Sequence, residues 1–168
     1  MSRSVRDSGL CCKERDPALA DFMGPGIDPK FDDILQTLGR IGQKNAKPVV
    51  DSIRRWRRTQ NEPVSPDIMR LHVGQSPAST RGGRTLDTPL LLNERKSLAA
   101  IYIMCRALIA VVQSLSKDAL SESMGYSLEE TTFDQFRKPD LKLLSQSANH
   151  RTNAELYATL LGHLATHR

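Results

Sequence analysis

The sequence predicts an all-α fold of helical hairpins, with a disordered N-terminal arm and a long flexible loop. Three observations carry that expectation. Apolar residues recur at helical spacing in several separate stretches. Capping residues stand before several of these stretches, and prolines follow shortly after the ends of some. Alternation with period two occurs only in Met69-Arg70-Leu71-His72-Val73, and one such run without a partner makes no sheet.

Taken in order, residues 1–27 are mixed polar, end on Gly24-Pro25-Gly26, and read as the disordered arm. Asp28-Pro29 opens the first helix: the carboxylate accepts from free N–H groups of the first turn, and proline needs no donor there. Phe31, Ile34, Leu35, Leu38 and Ile41 form its stripe, while Gly39 and Gly42 weaken its second half and fraying is expected near Asn45. Pro48 starts a second helix, with Val49, Ile53 and Trp56 on one face and Val50 beside them, ending near Asn61 ahead of Pro63 and Pro66. Asp51 stands four residues before Arg55, a favourable order for an ion pair. So short a connection predicts an antiparallel αα-hairpin.

Residues 63–88 are rich in Pro, Ser, Gly, Thr and Arg and read as a flexible insertion within a helical domain spanning 28–168. The third helix carries the strongest pattern. Leu98, Ile101, Tyr102, Cys105, Leu108, Ile109 and Val112 repeat at 3.6, and Ala99, Ile103, Ala107, Ala110 and Val111 make the other faces apolar too. Such a helix belongs at the centre of a bundle; Lys96 and Arg106 interrupt it too closely for a membrane span. A fourth stretch runs from about Asp118 to Arg137. Gly125 is expected to break it, Ser127-Leu128-Glu129-Glu130 to cap its restart, and Leu128, Thr132, Phe133 and Phe136 to form its apolar side. A short helix through Leu141, Leu143 and Leu144 comes next. Thr152-Asn153-Ala154-Glu155 then caps a final helix carrying Leu156, Leu160, Leu161 and Leu164.

Composition narrows the chemistry. The chain has 168 residues, 39% of them hydrophobic, which suits one ordinary domain and excludes a TIM barrel. Its net charge of +5 contains no long block of one sign. The odd set Cys11, Cys12 and Cys105 is no disulfide scaffold, and no apolar stretch follows the basic start, so a cytoplasmic chain without a secretory leader is expected. His163 and His167 stand four apart on the last helix, but no third ligand is placed with them. Cys105 should behave as a buried hydrophobe, and Asp32-Asp33 and Glu129-Glu130 as solvated surface. The residues suggest no enzyme, cofactor, metal or small-molecule substrate. One cluster stands out as a candidate interaction patch: Arg54, Arg55, Arg57 and Arg58 surround Trp56, and from Lys44 to Arg58 there are six basic residues and one acid. Either Trp56 anchors the helix and the arginines are its solvated face, or the cluster pairs with carboxylate or phosphate of a protein, nucleic acid or acidic membrane. No second basic element or stacking aromatic accompanies it, so nucleic acid is not favoured.

Four stretches occur in order: Asp28-Pro29-Lys30-Phe31-Asp32-Asp33; the Pro48 helix ending Trp56-Arg57-Arg58-Thr59-Gln60-Asn61; Glu94-Arg95-Lys96-Ser97-Leu98-Ala99; and Ala154-Glu155-Leu156-Tyr157-Ala158 with Leu161-Gly162. Over residues 28–168 the chain thereby resembles the N-terminal region of the Furry-type cell-morphogenesis proteins, particularly the fungal members. The resemblance implies a large cytoplasmic protein of HEAT/armadillo-like repeats. It also implies a non-enzymatic scaffold for an NDR-family kinase and its Mob-type coactivator, supporting polarised growth from the cytoplasm or cell cortex. On that view the chain is a fragment, the start of a larger solenoid. Its last apolar stripe, Leu156, Leu160, Leu161 and Leu164, would then be partly exposed, and the isolated chain marginally stable or self-associating.

Overall fold

Helix α4 (Thr88–Ser114) runs through the middle of the molecule, and α2 (Pro29–Lys44), α3 (Ala46–Thr59) and α7 (Ala148–Thr166) pack around it. The computed structural model describes residues 16–60, 88–137 and 139–167. Its remaining helices are α1 (Leu19–Met23), α5 (Glu122–Phe133) and α6 (Leu141–Gln146), and no strand occurs among the described residues. The fold is all-α, as expected from the periodicity. Of the expected insertion over 63–88 only Thr88 is described, and it opens α4; the rest, with the Met69–Val73 run, lies outside the described residues, as do Cys11 and Cys12.

The local signals work best at α2. Asp28 caps it, its carboxylate accepting from the N–H groups of Lys30 and Phe31 at 3.0 and 3.2 Å, and the helix ends beside Asn45. The packed face is rotated from the expected stripe, however. Leu35, Gly39 and Gly42 are buried, whereas Ile34 and Ile41 are 56% and 47% exposed. The glycines are the contact surface: a Cβ on Gly42 would lie 2.8 Å from Val111 Cγ1, and one on Gly39 would collide with Ser114 Oγ. Side chains at these positions would hold α2 off α4, so the backbones approach only because the glycines are bare.

In α4 the core is nearly continuous: Leu98, Tyr102, Cys105, Leu108, Val111 and Val112 are all buried. Its segment Leu92–Ser114 is long and apolar enough to cross a membrane by length and composition, but here 56% of its apolar stretch is buried inside the fold. Arg106, which breaks the apolar run, turns inward. It pairs with Asp32 at 3.1 Å, donates to the Met23 carbonyl at 2.8 Å, and lies 5.6 Å from the Phe31 ring centre. Asp32 is therefore one half of an inter-helix ion pair, not the solvated surface expected for it.

Other expectations shift for reasons of neighbourhood. Residues 16–27, expected as part of the arm, hold α1 and dock on α4 and α7, while residues 1–15 lie outside the described set. Helix α5 starts at Ser121, whose hydroxyl accepts from the Met124 N–H, and runs straight through a buried Gly125. Ser127 is mid-helix and caps nothing. That register faces Met124, Leu128 and Thr132 inward and leaves Phe133 52% exposed. Ser147 caps α7 five residues earlier than expected. On α7, Leu160 and Leu164 are buried against the core, with Leu156 and Leu161 packed at its margin. The stripe is thus half covered: α4 supplies the partner face for Leu160 and Leu164, while Leu156 and Leu161 stay partly exposed, as expected.

Candidate interaction surface

A run of four arginines on a helix cannot face one way. At 3.6 residues per turn, Arg54 and Arg57 fall on the same stripe as the buried Val50 and Ile53, at i+4 and i+7 from Val50. Arg55 and Arg58 fall on the outward side, with Trp56 between the two directions. The structure divides the cluster along this line.

Arg54 reaches α5. Its guanidinium donates to Ser127 Oγ at 2.7 Å and to Thr131 Oγ1 at 2.9 Å, two hydroxyls one helical turn apart. The Thr131 hydroxyl in turn donates a hydrogen bond to the Ser127 carbonyl at 2.8 Å. Arg57 reaches α4, donating to Ser97 Oγ at 3.1 Å. Burial of the Arg57 guanidinium lowers its pKa, while the Tyr157 and Cys105 side chains nearby favour its charge. These two arginines are packing residues. Helical spacing on the Val50 stripe is the signal that separates them from the other pair.

Arg55 and Arg58 are exposed, and Trp56 is 38% exposed and so does not anchor α3 in the core. The surface they share continues to Lys47 and Asp51, which pair at 2.8 Å. Asp51 thus takes Lys47 as its partner in place of the expected Arg55. The Lys47 hydrogen bond holds the Asp51 carboxyl below its ordinary value, helped by the charges of Lys47, Arg54 and Arg55. The result is a basic, aromatic face suited to carboxylate or phosphate groups.

The other candidate groups do not converge. Cys105 is fully buried, and burial pushes its thiol up to about 12, so the nucleophilic thiolate is suppressed. Tyr157, hydrogen-bonded to it, is raised above its ordinary value for the same reason. His163 shares a hydrogen bond of 2.9 Å with Gln113. His72 lies outside the described residues, and among the described residues no three His, Cys, Asp or Glu side chains gather as a metal site.

Residues 94–168, from the first turns of α4 through α7, match the family model described as the cell morphogenesis N-terminal region. The chain is a relative of the cell-morphogenesis proteins, in their N-terminal region. It is 24% identical to the cell morphogenesis protein PAG1 of Saccharomyces cerevisiae over 93% of its length. It is 30% identical to the cell polarity protein mor2 of Schizosaccharomyces pombe over 83%. The chain spans 10% of the first relative and 6% of the second. No solved structure matches it. The matched family agrees with the Furry-type resemblance drawn from the four sequence stretches. Those stretches now have places: Glu94–Ala99 lies in α4, and Ala154–Ala158 with Gly162 lies on α7, the two helices that enclose the core.

Proposed function

We propose that the chain serves cell morphogenesis and polarised growth as a non-catalytic binding module, acting at the cell cortex or growth sites. The observation that carries this reading is the similarity to a morphogenesis protein and a polarity protein across most of the chain. In this reading α2 and α3 form the first hairpin of a HEAT/armadillo-like solenoid, and residues 28–168 are the start of a longer scaffold. The partners are an NDR-family kinase and its Mob-type coactivator. The contact face is Arg55, Trp56 and Arg58, since Arg54 and Arg57 are spent on inter-helix hydrogen bonds. Exposed arginines flanking an indole suit acidic side chains on a protein partner.

The test is a direct binding measurement between the 168-residue chain and purified kinase–coactivator complex. Retention by the wild type, and at least about tenfold loss with Arg55→Glu plus Arg58→Glu, is the expected result. Absence of binding, or binding indifferent to the charge reversal, overturns it. Because the same face suits phosphate, the double variant is also compared with wild type on phosphatidylserine vesicles and on single-stranded DNA. Tight, steeply salt-dependent binding there, lost in the variant, would favour an electrostatic lipid or nucleic-acid binder instead.

A further inference from the structure

The groove between α4 and α7 holds residues 16–23 as a receptor holds a peptide. Asn149 of α7, itself buried, accepts the Leu19 N–H through Oδ1 at 2.8 Å. Its Nδ2 donates to the Pro17 carbonyl at 3.1 Å. One amide side chain therefore reads a backbone donor and a backbone acceptor two residues apart. Upstream, Asp16 pairs with Arg95 of α4. Downstream, Tyr102 and Arg106 both donate to the Met23 carbonyl, at 3.0 and 2.8 Å. Between these clamps Leu19 lines the same cleft as Leu92, Leu98 and Ala99.

The segment gives little back to the core. None of the residues of α1 is buried, and Phe22 is 60% exposed. A five-residue helix does not sustain itself in water, so its shape is imposed by the groove. The groove, for its part, has a buried amide that would lose both partners if the segment left.

We propose that this groove is a peptide-binding site, occupied in cis by residues 16–23, that accepts a partner segment of the same chemistry: an acidic residue, proline, any residue, then leucine. The carboxylate meets Arg95, proline presents a carbonyl without needing a donor partner, and leucine supplies both the N–H for Asn149 and the apolar side chain. A tethered segment acts at millimolar effective concentration, so an outside peptide enters only when the strap is released. The inference is independent of the Arg55 and Arg58 surface.

The probe is a fluorescent synthetic peptide of residues 14–25, titrated into the 168-residue chain and followed by anisotropy. Asp16→Ala with Leu19→Pro releases the strap, the first by removing the partner of Arg95 and the second by removing the N–H that Asn149 accepts. The released chain is expected to bind the probe about tenfold or more tightly than wild type does. Adding Arg95→Glu should abolish that gain, and a probe carrying Asp16→Lys should restore it. A released chain that binds no better than wild type overturns the proposal. So does a released chain that loses its cooperative thermal melt, because the strap would then be part of the core.

Discussion

Gly42 on α2 and Gly162 on α7 both interrupt helices that pack on α4, yet their surroundings are opposite. A side chain at Gly42 would strike Val111, which is wholly buried and has nowhere to move. A side chain at Gly162 would meet nothing within 4 Å. The two sides of the central helix are built differently. Toward α2, contact is made by backbone closeness. Toward α7, it is made by bulky side chains, Tyr157, Leu160 and Leu164, supplemented by the Asn153 amide, which donates to the Leu98 carbonyl at 3.0 Å. A glycine is a packing device on one side and only a flexible, propensity-poor residue on the other.

The contrast can be probed by substitution. Leu160→Ala on the side-chain-packed face should be the most damaging, lowering stability by about 2–5 kcal/mol in denaturant titration, because a fully buried residue leaves a cavity. Gly42→Val should destabilise by about 1–3 kcal/mol by forcing α2 away from α4. A neutral result there would mean that the two helices slide apart freely and that closeness is not what holds them. Gly162→Ala should run the other way, stabilising by about 0.5–1 kcal/mol, since it removes backbone freedom from the unfolded chain and meets no neighbour. At the exposed end of the scale, Asp51→Asn should leave the melting temperature unchanged within error, as its pair with Lys47 is solvent-screened.

Alkaline pH tests the α7 face separately. The Cys105 thiol has an ordinary value of 9.0 and is raised to about 12 in the fold, so the folded state holds its proton more tightly. The stability this represents is complete below pH 9 and is lost progressively as pH rises toward 12. Tyr157, raised beside it, acts in the same direction. Thermal melts of wild type should therefore weaken over that window, and Cys105→Ala should flatten part of the decline. Identical pH profiles for the two chains would deny the thiol that role.

Much of this molecule was legible from its residues. The Asp28 cap, the extent of α2 and the central place of α4 all follow from patterns a few residues long. The Arg cluster was legible as a cluster, but its division was missed: counting charge along the chain ignores the stripe from Val50 to Arg57 that turns two of the four inward. The α5 cap was also misplaced, since Ser127-Leu128-Glu129-Glu130 fits the capping pattern yet Ser127 serves Arg54 from mid-helix. The Asn149 clamp left no sequence signal at all. It joins residues 130 and 132 positions apart, and neither end is unusual by itself.

Sequence alone determined where most helices lie, and that α4 is apolar on nearly every side. Those are short-range matters of capping, propensity and a 3.6-residue period, which each segment carries within itself. Tertiary structure decided which face of each helix is buried, which arginines remain exposed, and that residues 16–23 are strapped down. These depend on how near two distant segments come, and that distance is set jointly by both, as when the bare glycines of α2 let it settle onto Val111.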